Sequence, residues 1–340
     1  MKQRELLALF ALGVILLGLP LAVLGYQYWL RPALSPNRII DIAARVPEQA
    51  GFAPDAIRVA VGETVTLRFA SMDVTHGVAI GPGLGVDLGP IDPGQVKEVT
   101  LRFDRPGIYT YYCTTWCSPD HWRMRGTIQV SDPANPDVVP AAQPDPVIDA
   151  LIAEGIDIDA AHTPSAEHAE ISILAFHPSA QRGEAVIAGG LDVPAELRDP
   201  VWRQSHTPAE ALELLTGQNP AASERDRLDA IAYLWAQDTA DEALATGKRL
   251  YNQNCAACHG QSGGGDGPAA ATTAEEPVAF SDPGYMFERR SDVLYAKIRR
   301  GGMGTGMPNF GTLFTPEETW ALVRYLWTLT FGTPPRTHTG

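Results

Sequence analysis

Cysteine is scarce in this sequence, with four thiols in 340 residues. So low a count does not describe a disulfide-dense scaffold, and each of the four asks for a reason. Cationic side chains are also few. Lys and Arg total 26 against 40 Asp and Glu, giving a formal net charge of −14. Without a basic patch, nucleic acid is excluded as an expected partner. Charge depletion does not mean disorder: 45% of residues are hydrophobic and 19% charged, the balance of an ordinary folded protein. Proline and glycine are plentiful, at 28 and 32, which implies many turns and linkers. The length suits two or three domains.

The amino terminus carries a long apolar run. Leu6 to Gly25 contains no charge, Lys2 and Arg4 precede it, and Tyr26, Tyr28, Trp29 and Arg31 follow. About 20 apolar residues suffice for a helix to cross a hydrocarbon core, and the aromatic cluster stands where an interfacial belt would sit. A cleaved signal peptide would have a shorter apolar core and small residues at its cleavage site. Residues 1–35 are therefore expected to be a retained single-pass anchor in the cell membrane. The positive residues hold the short tail in the cytoplasm and place the soluble domains on the periplasmic side.

Residues 36–132 show short alternating strands punctuated by Gly and Pro, at Gly81-Pro82-Gly83, Asp92-Pro93-Gly94 and Arg105-Pro106-Gly107. The pattern predicts an all-β sandwich. Two strands, Arg105–Cys113 and Gly126–Val130, flank a loop in which Cys113, Cys117, His121 and Met124 fall within twelve residues. A disulfide would leave the histidine and methionine unexplained, and zinc rarely takes a thioether. Two thiolates, an imidazole and a thioether point to copper. His76, expected at the end of a strand 37 residues before Cys113, is the candidate for the missing ligand.

Cys-x3-Cys-x3-His-x2-Met with an upstream His resembles the binuclear Cu-A site of cytochrome c oxidase subunit II, and the resemblance covers roughly residues 1–130. It implies a membrane anchor followed by a cupredoxin domain. It also implies that Cys113 and Cys117 bridge two coppers, that His76, His121 and Met124 are terminal ligands, and that Thr115 offers a backbone carbonyl. Thr115 stands where that family often has a Glu that helps hold a magnesium ion; Thr supplies only the carbonyl. The single anchor is similar to the shorter form in some bacterial oxidases. Cys-Thr-x-aromatic-Cys also resembles the Cu-A site of nitrous oxide reductase, but this chain has no room for the His-rich propeller of that enzyme.

The remaining cysteines lie in Asn254-Cys-Ala-Ala-Cys-His-Gly260. Cys-x-x-Cys-His is the attachment pattern of haem c, with thioether links through Cys255 and Cys258 and His259 as an axial ligand. A helix is expected from Ala243 into the motif. The segment Gly306-Met-Pro-Asn-Phe310, followed by a helix capped at Thr315, resembles the distal-ligand loop and last helix of class I cytochromes c. That resemblance implies Met307 as the sixth ligand, with Met303 as the fallback, in a cytochrome domain over 239–333. All four cysteines are then assigned, two to copper and two to haem.

Residues 133–147 form a Pro- and Asp-rich linker, expected to be extended. Residues 148–238 are expected to be mostly helical, with caps at Thr207 and Ser223, but no metal signature declares their role. Tyr233-Leu-Trp235 matches Tyr325-Leu-Trp327 at an offset of 92. Two explanations stand: a degenerate cytochrome c domain, with His168 opposite His259 and Pro164 and Glu167 in place of cysteines, or two amphipathic helices sharing a common pattern. His162, His168, His177 and His206 are read as solvent-facing.

The resemblances imply an electron-transfer subunit of a haem-copper terminal oxidase, working with a multi-span catalytic subunit. Its external donor would be a cytochrome c, a cupredoxin or a bc-type complex. The equivalent subunit of a Cu-A-containing nitric oxide reductase remains the alternative. Oxygen is not reduced in this chain, which has no set of membrane histidines for a haem-copper centre.

Overall fold

The computed structural model describes residues 11–34, 37–135, 144–158, 176–237, 241–302 and 305–333. His162, His168, Met303 and most of the Pro-rich linker lie outside them. The apolar N-terminal run is helical, and Ala11–Leu30, 20 residues long, is not buried against the rest of the chain. At 1.5 Å per residue such a helix reaches about 30 Å, the thickness of a hydrocarbon core.

Nine strands follow: β1 Arg38–Ala44, β2 Phe52–Ala53, β3 Ala56–Ala60, β4 Thr64–Ser71, β5 His76–Gly81, β6 Val86–Ile91, β7 Val96–Arg102, β8 Gly107–Tyr112 and β9 Arg125–Ser131. They form two sheets, ordered β2-β1-β4-β7 and β3-β9-β8-β5-β6. The β1–β4 and β3–β9 pairs are parallel. Alternation drives the layering: Val65, Leu67 and Phe69 of β4 face Val78, Ile80, Ile128 and Val130 of the other sheet across a buried core. Phe52, Phe69 and Tyr111 meet edge to face, with centroids 5.2 to 6.0 Å apart. The Tyr111 hydroxyl donates to the Pro54 carbonyl at 2.6 Å. Gly126 makes this possible, because a Cβ there would lie 2.1 Å from the Tyr111 ring. The outer face of β4 is less open than its alternation implies: Arg68 is buried between Asp41 and Glu98, both at 2.9 Å.

Two details of this sandwich set the copper-loop geometry. The β8–β9 ladder pairs Tyr112 with Arg125, and the Cys113 amide continues it by donating to the Met124 carbonyl at 3.1 Å. Both ends of the loop are therefore pinned to the rigid sheet. His76 opens β5 instead of ending a strand. The reason is Asp73, whose carboxylate accepts from the Val46 and Val74 amides and turns the chain just before it.

The helices of the central region are α1 Pro146–Ala153, α2 Ala180–Ala188, α3 Ala195–Arg198, α4 Pro200–Ser205, α5 Pro208–Gln218 and α6 Glu224–Ala236. The last part of the chain adds α7 Asp241–Asn254, α8 Ala256–His259, α9 Pro283–Met286, α10 Ser291–Arg300 and α11 Pro316–Phe331. Hydroxyl caps start four of them: Thr207 and Thr315 form reciprocal capping boxes with Glu210 and Glu318, Ser179 caps α2 and Ser223 caps α6.

Two helix crossings organise this half of the molecule, and they are copies of one another. At the first, Gly247 of α7 lies so close to α11 that a Cβ would fall 2.2 Å from the Ala321 carbonyl oxygen and 2.9 Å from the Tyr325 Cβ. At the second, a Cβ on Gly183 of α2 would fall 1.8 Å from the Asp229 carbonyl oxygen and 2.8 Å from the Tyr233 Cβ. Asp229 and Tyr233 precede Ala321 and Tyr325 by the same 92 positions as the Tyr-Leu-Trp match. Gly183, however, precedes Gly247 by 64, so the central copy is the shorter one. At that spacing Leu191 and Pro194 occupy the places of Cys255 and Cys258. At the same spacing Ala195 takes the place of His259, and His168 lies outside the described residues. One continuous core joins the copies, including an edge-on contact of Trp235 with Trp327 at 6.3 Å, and it extends to Ala79 and Tyr112 of the sandwich.

Candidate metal centres

The copper-loop residues converge at one end of the sandwich. Cys113 and Cys117 Sγ and a ring nitrogen of His76 all lie within 4.8 Å of one another. His76 Nδ1 is 3.8 Å from Cys113 Sγ, and His121 Nδ1 is 3.5 Å from Cys117 Sγ. Met124 Sδ lies 3.8 Å from Cys117 Sγ, and the Thr115 carbonyl lies 3.2 Å from Cys113 Sγ. His76, Cys113, His121 and Met124 are buried. Gly77 permits the close packing, since a Cβ there would lie 2.2 Å from the Thr114 hydroxyl oxygen.

Asp73 accepts from His76 Nε2 at 2.7 Å, which fixes the tautomer and leaves Nδ1 as the free electron pair facing the sulfurs. Sequence reasoning missed this carboxylate; its place three residues before His76 was the available signal. Burial opposes a charged His76, but Cys117 and Asp73 outweigh it and hold the imidazole above its ordinary range. The two thiols are shifted in opposite directions. Cys117 donates towards Cys113 and, with the amides of Thr115, Gly77 and Thr114, outweighs burial to draw Cys113 below the usual thiol range. Cys117 is pushed up to about 11 by the same hydrogen bond and by burial. Two sulfurs, two imidazole nitrogens, a thioether and a carbonyl on one rigid rim form a donor set that fits soft copper.

The second site is built on α7 and α8. Tyr251, fully buried, donates its hydroxyl to the Gly260 carbonyl at 2.7 Å and closes the turn after the motif. Cys255 and Cys258 are free thiols, and burial raises both, Cys255 to about 12. Burial also lowers His259 below its ordinary value, which favours the neutral imidazole. Its Nδ1–H donates to the Val278 carbonyl at 3.0 Å, which leaves Nε2 as the metal-binding electron pair. Phe280 stacks on the ring with centroids 4.6 Å apart. Two thiols and a neutral, pre-oriented imidazole fit covalent haem. Met307 is half-buried against the same core, and its carbonyl is fixed by the Gly302 amide at 3.0 Å. Gly301, at φ 78°, allows this approach: a Cβ there would lie 2.7 Å from the Met307 carbonyl oxygen.

The two sites share an interface. Arg125, next to Met124, donates to the Asn309 carbonyl and lies over the Phe310 ring at 4.9 Å. Gln253 donates to Asp87 at 3.0 Å. The Leu313 carbonyl presses against Gly81, where a Cβ would lie 2.0 Å away. A cleft of about 450 Å³ separates Trp116 and His121 from Ala256 and Ala257, the residues between the two haem-motif cysteines. Of the central histidines, His206 is not solvent-facing as expected but stacks on Trp202 at 3.9 Å, and its Nδ1 donates to the Trp202 carbonyl. His177 is exposed but bonded to the Thr330 carbonyl.

Fold and sites together define an electron-transfer protein in which a cupredoxin sandwich is joined to a cytochrome c domain. Residues 52–131 match the family model described as Cytochrome C oxidase subunit II, periplasmic domain. Residues 242–326 match that of Cytochrome C oxidase, cbb3-type, subunit III. Cytochrome c oxidase subunit 2 of Thermus thermophilus is 35% identical over 83 residues, 24% of this chain and 59% of that protein. Nitrous-oxide reductase of Stutzerimonas stutzeri is 32% identical over 74 residues, 20% of this chain and 11% of that protein. The chain spans 48% to 59% of the length of the subunit 2 relatives it matches. The solved periplasmic domain of subunit II of cytochrome oxidase from Bradyrhizobium japonicum aligns with 30% of this chain and 88% of its own, at 18% identity and a TM-score of 0.25, too low to carry an argument. This chain thus carries a subunit II-type, Cu-A cupredoxin domain followed by a cbb3-type cytochrome c domain.

Proposed function

We propose that this chain is the electron-input subunit of a haem-copper terminal oxidase, anchored in the cell membrane by its N-terminal helix with its domains on the periplasmic side. Electrons from an external donor would arrive at a haem c held by Cys255, Cys258, His259 and Met307. They would leave through a binuclear copper centre held by His76, Cys113, Thr115, Cys117, His121 and Met124, towards a multi-span catalytic subunit that reduces oxygen. When bound, the haem and the copper pair each supply a one-electron couple, and the chain's residues hold and insulate them.

Those residues have definite tasks. The β8–β9 ladder fixes both ends of the copper loop, so the donors need not rearrange as charge comes and goes. Asp73 and the Val278 carbonyl each orient an imidazole through its second nitrogen. Arg125 and Phe310 keep the two sites in register, which replaces a diffusional encounter with a high effective concentration. The observation that carries the reading is this contact: the segment after Met307 sits directly on the residue after Met124.

The test is to express the full chain together with a multi-span haem-copper catalytic subunit from the same organism. Membranes given a reduced donor should consume oxygen, and activity should vanish when this chain is omitted. Consumption of nitric oxide without oxygen uptake would assign the chain to a nitric oxide reductase. Retention of full oxygen uptake without the chain would overturn the reading.

A further inference from the structure

We propose that Thr330, Phe280 and His177 are positioning residues for the His259 imidazole, and that the central helical region completes this support. The inference rests on the reading of Cys255-x-x-Cys258-His259 as the haem attachment site.

The connection can be followed bond by bond. His259 donates from Nδ1 to the Val278 carbonyl at 3.0 Å, and the Phe280 ring stacks on the imidazole at an interplanar angle of 30°. Val278 and Phe280 lie on a segment between helices, where no ladder fixes the backbone. Two bonds hold it: the Ser281 amide donates to the Gly263 carbonyl at 3.0 Å, and Thr330 of α11, only 1% exposed, donates its hydroxyl to the Phe280 carbonyl at 2.7 Å. Thr330 lies in the last turn of α11, so its own carbonyl has no partner within the helix. His177 supplies the donor from outside, through Nε2.

His177 belongs to the central region and is itself held. Its carbonyl accepts from Arg182 Nη2 at 2.6 Å. Arg182 makes a two-pronged bond to Asp229, at 2.7 and 2.8 Å, and Asp229 is 2% exposed. The Ser179 amide donates to the same carboxylate at 2.7 Å. Asp229 is also the residue whose carbonyl meets Gly183 at the α2–α6 crossing. The shorter copy of the helix crossing, which has no cysteine pair, thus ends in a hydrogen bond to the haem-bearing copy. From there two further contacts, Thr330 to Phe280 and Phe280 to His259, reach the axial ring.

The chemical consequence lies in the Nδ1–H bond. A firmly seated Val278 carbonyl makes the imidazole a stronger electron donor through Nε2, which favours the oxidised metal. Loosening the segment weakens that bond and raises the haem reduction potential. Losing partners of this kind typically costs about 10- to 100-fold in a metal site's affinity or activity.

The test uses the full chain matured with haem c, with covalent attachment measured on every variant and the haem potential obtained by redox titration. Thr330→Val, which removes the hydroxyl at constant shape, should change the oxidised-to-reduced ratio at fixed poise about tenfold in favour of reduction, ~59 mV for one electron. Thr330→Ser should restore the original value. His177→Ala should shift it in the same direction by less, because that ring is open to solvent, and His177→Gln, which keeps an N–H donor, should reverse the shift. An unchanged potential in Thr330→Val, or a shift that Ser does not rescue, would overturn the support itself. A shift with Thr330→Val but none with His177→Ala would remove the central region from it. Should Thr330→Val fail to mature, the His177 pair carries the test alone. Absence of covalent haem in the unaltered chain would overturn both the proposal and the reading beneath it.

Discussion

Replacing Gly247 by Ala sets two known effects against each other. In the interior of an exposed helix, Gly→Ala stabilises by about 1 kcal/mol, because glycine loses more backbone freedom on folding. Residue 247 is not on a free surface, however; it is buried and faces α11. The added Cβ would lie 2.2 Å from the Ala321 carbonyl oxygen and 2.8 Å from its carbon, where 3.4 Å or more is ordinary contact. Both atoms are helix backbone, so no side chain can rotate away. The helices must part, and Leu250, Tyr251, Leu322 and Tyr325, all buried around the crossing, lose contact together. Overpacking of this kind costs about 1–3 kcal/mol and occasionally more, so subtracting the propensity gain leaves a loss of roughly 0–2 kcal/mol, at the upper end here because both opposed atoms are backbone. Gly183→Ala should behave alike, since its Cβ would lie 1.8 Å from the Asp229 carbonyl oxygen. Gly217 of α5 is the control: nothing lies within 4 Å of its Cβ position, and Ala there should gain a few tenths of a kcal/mol. Urea titration of the full chain, followed by helical circular dichroism, reads all three. Equal or greater stability of Gly247→Ala would refute the close-crossing argument.

Met124→Leu should alter the copper spectrum and lower copper retention while leaving haem c attachment and its absorption unchanged; metal analysis and visible spectra read both. Arg125→Ala should uncouple the sandwich from the helical half, because it removes a charged hydrogen bond worth about 1.5–3 kcal/mol. Calorimetry should then resolve transitions that were merged. Asp229→Ala should destabilise the central region by roughly 2–3 kcal/mol, below the 3–5 kcal/mol typical of a broken buried pair, because Arg182 is 42% exposed. Denaturant titration gives the number, and an effect below about 0.5 kcal/mol, the range of ordinary surface changes, would show that the pair contributes little.

The sandwich was legible because its signals are local and redundant. Strands β4, β7, β8 and β9 alternate, and Gly-Pro pairs mark their ends. The loop ligands lie within twelve residues of one another, and Cys-x-x-Cys-His is contiguous. Caps at Thr207, Ser223 and Thr315 were readable for the same reason. The groups that orient the ligands were not. Asp73 acts through a turn, and the Val278 carbonyl is a backbone atom that carries no side-chain signature. The helix α2 falls in the stretch expected to be mostly helical but was not singled out; its Gly183 is needed where two backbones touch. That crossing also gives the Tyr-Leu-Trp match a packing context. The repeat is one of packing, visible in Gly183 against Asp229 and Gly247 against Ala321, and the different spacings of its two helices prevented a single offset from revealing it.

The most direct test of the account is the metal content and paramagnetic resonance spectrum of the full chain, matured with haem c and reconstituted with copper. The account requires two coppers per covalently bound haem, with one unpaired electron shared equally between both coppers. One copper with a mononuclear spectrum, or haem without copper, would contradict it.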